Sequence, residues 1–157
     1  MAASALTDAL DAAGVAYEVI PHAHTETAAD EARALGIPAD AVAKTLVVGT
    51  PQGNVRAVLP ASERISTAKL AEVLDARRKA IQLVPEESLR RDYAEFEYGA
   101  VPPIGGAHRD RVIVDTHVAK HASVVLEAGS HDDSIRLATD DLIRVAGADV
   151  AEICAEE

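Results

Sequence analysis

The segment Gly99-Ala-Val-Pro-Pro-Ile-Gly-Gly106 constrains this chain most. Two adjacent prolines fix φ and remove two backbone donors, while the flanking glycines permit backbone shapes closed to other residues. Neither a central strand nor a helix tolerates such a run, so it reads as a rigid, shaped loop. It follows Glu95-Phe-Glu-Tyr98, which holds the only phenylalanine. It precedes Arg109-Asp-Arg-Val-Ile-Val-Asp115, a polar lead into an apolar strand that ends on a carboxylate. A loop of this kind either walls a ligand site and presents amides to it, or is a structural turn.

Around that loop, strand and helix patterns interleave. A first helix is expected over Ser4 to Ala13, with Ser4 as cap and Gly14 as stop. A short strand follows at Val15–Ile20, then a helix from Thr25 or Thr27 to Leu35, ended by Gly36 and Pro38. Ala41–Val48 and Asn54–Leu59 read as strands joined at Pro51-Gln-Gly-Asn54. A helix over Thr67–Ala76 places Leu70, Val73 and Leu74 on one face. Ala80–Val84 is a short strand, and Pro85 opens a helical turn. Further strands are expected at Arg111–Val114, Ala122–Leu126 and Ser134–Ala138. Thr139 is expected to cap a last helix carrying Asp140 and Asp141 in its first turn and ending at Gly147. This alternation predicts a mixed α/β or α+β sheet with helices against it. At 157 residues, with no linker or repeat, residues 1–157 read as a single domain.

Composition narrows the function classes. The chain is 48% hydrophobic but only 3% aromatic, so its core must be built largely from Ala, Val, Leu and Ile. No apolar run reaches membrane-spanning length, which argues against a membrane role, and no secretory pattern opens the sequence. A single cysteine, Cys154, forms no internal disulfide and supports no thiolate–metal site. A cytoplasmic address is expected. The net charge of −11 opposes broad capture of DNA or RNA through phosphates, though not an enzyme that handles only the tip of an RNA.

Lys44 lies inside the apolar run Val42-Ala-Lys-Thr-Leu-Val-Val48. Burying an unpaired ammonium is costly. Lys44 is therefore either a strand-edge lysine whose stem reaches out to water, or a cleft lysine kept for an anionic or carbonyl-bearing ligand. Asp115 either orients a donor or water from its strand end, or begins the following turn; Thr116 and His117 share that ambiguity. The pairs His22/His24 and His117/His121 lack a complete metal shell and the catalytic glutamate of a zinc-hydrolase helix, so no metal is expected. His131, after Gly129-Ser130, either points into a pocket or sits in a loop. Ser62, Ser66 and Thr67 form no nucleophile elbow. The chain shows neither a dinucleotide glycine pattern nor a phosphate loop, so no cofactor is expected. Arg77-Arg78-Lys79 and Arg90-Arg91 are solvated faces, or contacts to RNA phosphates beyond a site mouth.

Lys44 in Ala43–Val48, the Gly99–Gly106 loop, Asp115, and Gly129 ahead of an acidic-capped helix together resemble the YbaK family. That family is related to the aminoacyl-tRNA editing domain of bacterial prolyl-tRNA synthetases. The resemblance runs from about Leu6 to Ile153. It implies a compact, partly curled mixed β-sheet flanked by helices, and free-standing deacylation of wrongly charged tRNA. On this resemblance Lys44, Gly105 and Asp115 are the catalytic candidates. Lys44 would position the tRNA 3′ end, and the loop would confine the aminoacyl group and offer amides to its carbonyl. Thr45, Gly99, Val101, Pro102, Pro103, Ile104, Gly106, His117, Gly129 and His131 are the substrate-binding candidates. Cysteinyl-editing members often place two basic residues and a glycine after the position of Gly129. Here the text is Gly129-Ser-His-Asp-Asp133, which brings His131 forward and does not imply cysteine specificity.

The implied chemistry suits these residues. An aminoacyl ester is already activated, so positioned water and a few donors toward the developing oxyanion suffice without a serine triad. The implied partners are mischarged tRNA, through its aminoacylated 3′ end and including tRNA(Pro), and an aminoacyl-tRNA synthetase. The competing readings are hydrolysis of another small acyl ester, and a non-catalytic binding or regulatory module.

Overall fold

The computed structural model describes residues 4–156. Helix α1 (Ser4–Ala12) ends where Gly14 turns left-handed at φ 68°. Ser4 is its first residue, and the side chain expected to cap it lies outside the described residues. Strand β1 (Tyr17–Pro21) leads to α2 (Ala28–Leu35), whose N-cap Thr27 accepts from the Asp30 amide at 3.1 Å. Gly36, at φ 68°, stops α2 as expected. Strands β2 (Val42–Thr50) and β3 (Gly53–Pro60) form a hairpin. Then come α3 (Thr67–Val73), capped by Ser66, a two-residue β4 (Gln82–Leu83), and α4 (Glu86–Asp92), entered through Pro85.

The glycine–proline segment connects α4 to β5 (Arg111–Asp115) without regular structure. Beyond it lie α5 (Thr116–Ala119), β6 (Ser123–Glu127), β7 (Asp133–Ala138), α6 (Thr139–Ala146) and β8 (Asp149–Ala151). The sequence patterns did not reveal α5 and β8, which span four and three residues. Elements this short carry no readable period. Thr139 does not cap α6: the cap is Ala138 with no side-chain bond, and the Thr139 amide donates to the Ala122 carbonyl at 3.0 Å.

The strands join in one mixed sheet, ordered β1-β7-β6-β2-β3-β5-β8, with β4 beside β2. Pairs β2/β6, β3/β5 and β5/β8 are parallel, and the remaining pairs are antiparallel. Side chains alternate across each strand. One face carries Ala43, Val58, Val112, Val114, Leu126 and Ile135 against Leu6 and Leu10 of α1 and Leu142 of α6. On the other face, Val48, Val55, Ala57 and Ile113 pack on Leu70 and Ala71 of α3, and Val42 and Val125 pack on Ala28 and Ala32 of α2. Both faces are thus covered, which accounts for strands that read as nearly continuous apolar runs.

Candidate functional site

Strand β2 lacks a continuous neighbour on the side away from β3. Its first residues pair with β6, as Val42↔Val125 and Ala43↔Leu126, and its last with β4, as Val48↔Leu83 and Gly49↔Gln82. Between these contacts the sheet has a window at Lys44-Thr45-Leu46. The Val42 carbonyl accepts from Ala61 on the β3 side at 2.8 Å, whereas the Val47 carbonyl accepts from Val84 on the opposite side at 3.0 Å. Backbone groups alternate in direction along a strand. The amide and carbonyl of Thr45 therefore point into the window. A cleft of about 130 Å³ opens there, lined by Lys44, Thr45, Leu46, Gly99, Val101 and Glu127, with Ala28 and Ala43 completing it.

Lys44 shares the sheet face of Val42 and Val48. It stands where the α2 and α3 core clusters part, half-buried rather than sealed. Burial is the main influence on its ammonium and holds its pKa below the usual lysine range. Glu127 ends β6 on the same face as Val125, and is 9% exposed. Burial first, then the nearby carboxylates Glu31, Glu97 and Glu26, push its pKa up to about 9.

Opposite, the loop is fixed from behind by His131, which is 5% exposed. Its Nε2 lies 2.6 Å from the Tyr98 carbonyl, which only accepts, so this nitrogen carries the proton. The His131 amide donates to Glu97 at 2.9 Å, and the Glu97 amide donates to the Gly129 carbonyl at 2.9 Å. Gly99 sits at φ 83°, and a Cβ there would lie 3.4 Å from Cε1 of the His131 ring. Nδ1 of His131 is 3.3 Å from Oε2 of Glu127, but without hydrogen-bond geometry, so both atoms are sealed and unbonded.

The expected residues therefore divide. Lys44, Thr45, Gly99 and Val101 meet at the cleft, and His131 and Gly129 brace its loop. The second half of the loop faces elsewhere. Pro103, Ile104, Gly105 and Gly106 line a broad hollow of about 560 Å³ beside α1. Gly105, expected to approach an ester carbonyl, instead approaches helix backbone: a Cβ there would meet the Ala5 carbonyl oxygen at 2.8 Å.

The anchor for this half is Arg56 of β3, which the sequence reading missed. Its guanidinium pairs with Asp110 at 3.0 Å and donates to the carbonyls of Pro102 at 2.9 Å, Gly105 at 2.9 Å and His108 at 3.3 Å. Tyr93 closes the group, donating to Asp110 at 2.5 Å, and burial followed by that bond pushes its phenol up to about 12. A charged residue inside Asn54-Val-Arg-Ala-Val-Leu59 was the available signal, the same one that singled out Lys44. The ending Val124-Val-Leu-Glu127 offered it for Glu127.

Asp115 and His117 lie apart from the cleft lining. Asp115 is fully buried and caps α5 through the His117 amide at 2.8 Å. Its oxygens also accept from the amides of Ile153 at 2.8 Å and Cys154 at 3.2 Å, and pair with His117 Nδ1 at 2.7 Å. Burial alone would raise its pKa, but the Ile153 and His117 amides, helped by the His117 ring and Cys154, take it below the usual range. Among the described residues, Asp115, His117 and Cys154 also bring three possible metal-ligand atoms within 4.8 Å of one another. The carboxylate is already committed to four donors, and burial is the first cause pushing the Cys154 thiol up to about 12, so the group suits a hydrogen-bonded strut better than a cation site.

Solved proteins share this fold. One, provisionally described as a trans-editing enzyme for prolyl tRNA synthetase, aligns over 98% of this chain and 97% of its own at 22% identity, with a TM-score of 0.87. A hypothetical protein, APE2540, aligns over 97% of this chain and 100% of its own at 20% identity and a TM-score of 0.88. The fold class is therefore the expected YbaK-like mixed sheet. The chain belongs to the aminoacyl-tRNA editing domain family, whose model matches residues 22–145. A relative in Enterococcus faecalis, EbsC, provisionally named a Cys-tRNA(Pro)/Cys-tRNA(Cys) deacylase, is 26% identical over 127 residues, covering 80% of this chain and 76% of its own.

Proposed function

We propose that this protein is a trans-acting deacylase that hydrolyses the ester linking a small, wrongly attached amino acid of the alanine, serine or cysteine class to tRNA, with tRNA(Pro) as a candidate carrier. The observation that carries this reading is the window in β2. A half-buried lysine, an unpaired strand edge and the glycine loop converge there on a cleft of about 130 Å³. That is below the roughly 300–1,000 Å³ of ordinary small-molecule sites, so it suits a short side chain at the end of a larger ligand. Wider hollows, of about 250, 380, 550 and 560 Å³, lie elsewhere. None of them is lined by Lys44 or Gly99.

In this reading Lys44 holds the electron-rich end of the substrate, the 3′-terminal ribose and phosphate. The Thr45 amide and the amides near Gly99 face the carbonyl whose oxygen gains charge as water attacks. Val101 limits the side chain by volume, and His131 keeps the loop in place. Asp115 acts as a strut for the C-terminal segment rather than as an acid or base. The reaction belongs in the cytoplasm, beside the synthetases whose errors it would correct.

The test is single-turnover deacylation of tRNAs charged separately with alanine, serine, threonine, cysteine and proline. Faster release of one or more of alanine, serine and cysteine than of proline supports the proposal. Release of all five at the uncatalysed rate overturns it.

A further inference from the structure

Within that proposed function, we infer that Glu127 receives the α-ammonium group of the aminoacyl ester, so that the cleft selects a free amino acid over an uncharged isostere. The reasons lie in the cleft's charge layout. Lys44 lines one part and Glu127 another, on the same face of the sheet. An aminoacyl ester has the complementary polarity: an ammonium beside the carbonyl, and anionic phosphate beyond the ribose. The sealed oxygen of Glu127 has no hydrogen-bond partner in the described structure, although its side chain is only 10% exposed. Buried polar groups are nearly always paired, and a carboxyl in a cleft wall without a hydrogen bond calls for a ligand.

The surroundings strengthen the case for a cation. Glu31 from α2, Glu97 from the loop and Glu26 from the segment before α2 all add negative potential at Glu127. Lys44 on β2 lines the same cleft with the other sign, and the His131 ring turns Nδ1, its nitrogen without the proton, toward the carboxyl. With the cleft empty, burial and these carboxylates favour the protonated acid. An ammonium arriving within ~4–6 Å reverses the preference and favours the carboxylate. The proton then leaves to solvent, and a charge-assisted hydrogen bond replaces an unpaired oxygen.

The experiment uses hydrolysis-inert adenosines that carry the acyl group on a 3′-amino linkage. One is alanyl, with the α-ammonium; the other is lactyl, with a hydroxyl in its place and nearly the same shape. Affinities are measured by calorimetry for the wild-type chain and for Glu127→Gln, with thermal melts confirming that the variant folds. The wild type should bind the alanyl compound at least about tenfold more tightly, as expected for a hydrogen bond to a charged group. Glu127→Gln should bind the two alike. If the glutamine variant does not fold, Glu127→Asp serves in its place and should show a reduced preference. Equal affinities in the wild type overturn the inference, as does an undiminished preference in the variant, or no binding of either compound at millimolar concentration. Deacylation of alanyl-tRNA without an amine preference would remove this inference and leave the proposed function. An amine preference without deacylation would do the reverse.

Discussion

Two basic residues interrupt apolar strands in this protein, and their surroundings give them opposite consequences. Lys44 reaches a cleft and has no ion-pair partner among the described residues, while Arg56 is 1% exposed and committed to one carboxylate and three carbonyls. Lys44→Ala should therefore leave the melting temperature nearly unchanged and lower single-turnover deacylation by about two orders of magnitude, the scale of losing one charge-stabilising donor. A folded variant with wild-type rates would remove Lys44 from the mechanism. Arg56→Ala should destabilise by ~3–5 kcal/mol in denaturant unfolding, because Asp110 and the carbonyls lose their partner inside the protein. Arg56→Lys should recover little, since an ammonium cannot reproduce the planar fork. Buried acids set the pH behaviour. Glu31, sealed and bonded to Ser134, is raised to about 7 chiefly by burial, and Glu127 to about 9. Both bind protons more tightly when folded, so their support is complete below about pH 4.5 and is lost as pH rises through 7 and then 9. The melting temperature should fall between pH 5 and 9, and Glu31→Gln should flatten the lower part of that fall. An unchanged slope in the variant would assign the fall to other groups.

The glycine–proline connection behaves as two elements. Its first part, Gly99 to Val101, faces the cleft, and its second part, Pro102 to Gly106, is bolted to β3 and α1. Were Gly105 to approach the ester carbonyl, as the family resemblance implies, valine there would harm activity more than stability, because a side chain would enter the ester site. The geometry reverses that order. Gly105 has φ 90°, and its added Cβ would stand 2.8 Å from backbone that cannot rotate away. Gly105→Val should lower the melting temperature by several degrees through loss of loop and helix packing, on the scale of about 1–3 kcal/mol for overpacking. Gly99→Ala should have the smaller stability cost, since its Cβ would meet the His131 ring at a tolerable 3.4 Å, but it shifts the loop at the cleft. Melting curves and single-turnover rates on both variants check the assignment. Greater loss of activity than of stability at 105 would restore the earlier expectation.

At the scale of the molecule, the net charge of −11 bears on how a polyanion approaches. Extended phosphate contact would give a steep salt dependence, close to one unit of logarithmic slope per neutralised phosphate. With recognition concentrated at the aminoacylated end, deacylation of a full tRNA and of a short acceptor-stem mimic should proceed at similar rates, with a shallow slope. Arg77, Arg78 and Lys79 supply a small local patch outside the cleft, enough for a few contacts. A strict need for the whole tRNA, together with a steep slope, would instead indicate a broad basic face. The chain has no helix long and apolar enough to cross a membrane among its described residues.

Much of this protein is legible along the chain. Thr27 and Ser66 cap their helices, and Gly36 and Gly147 stop theirs, because capping and left-handed turns depend on residues only a few positions apart. The strands of the β2/β3 hairpin follow from apolar runs joined at a tight turn, and Lys44 stood out as a charge within such a run. Tertiary structure alone decided the site. The window in β2 exists because β6 and β4 pair with its two ends and leave the middle open, a consequence of strand order that no local pattern encodes. Glu127 and His131 come within 3.3 Å, and Gly105 parts from Gly99 to rest on α1, through the same long-range packing. Asp115 shows the division within one residue. The sequence offered a strand-end acid or the start of a turn, and the arrival of Ile153 and Cys154 at its oxygens made it the anchor of a segment almost forty residues away. Short-range geometry is written into each residue's own backbone preferences, whereas the partner of a buried charge is set by which distant strand the fold brings beside it.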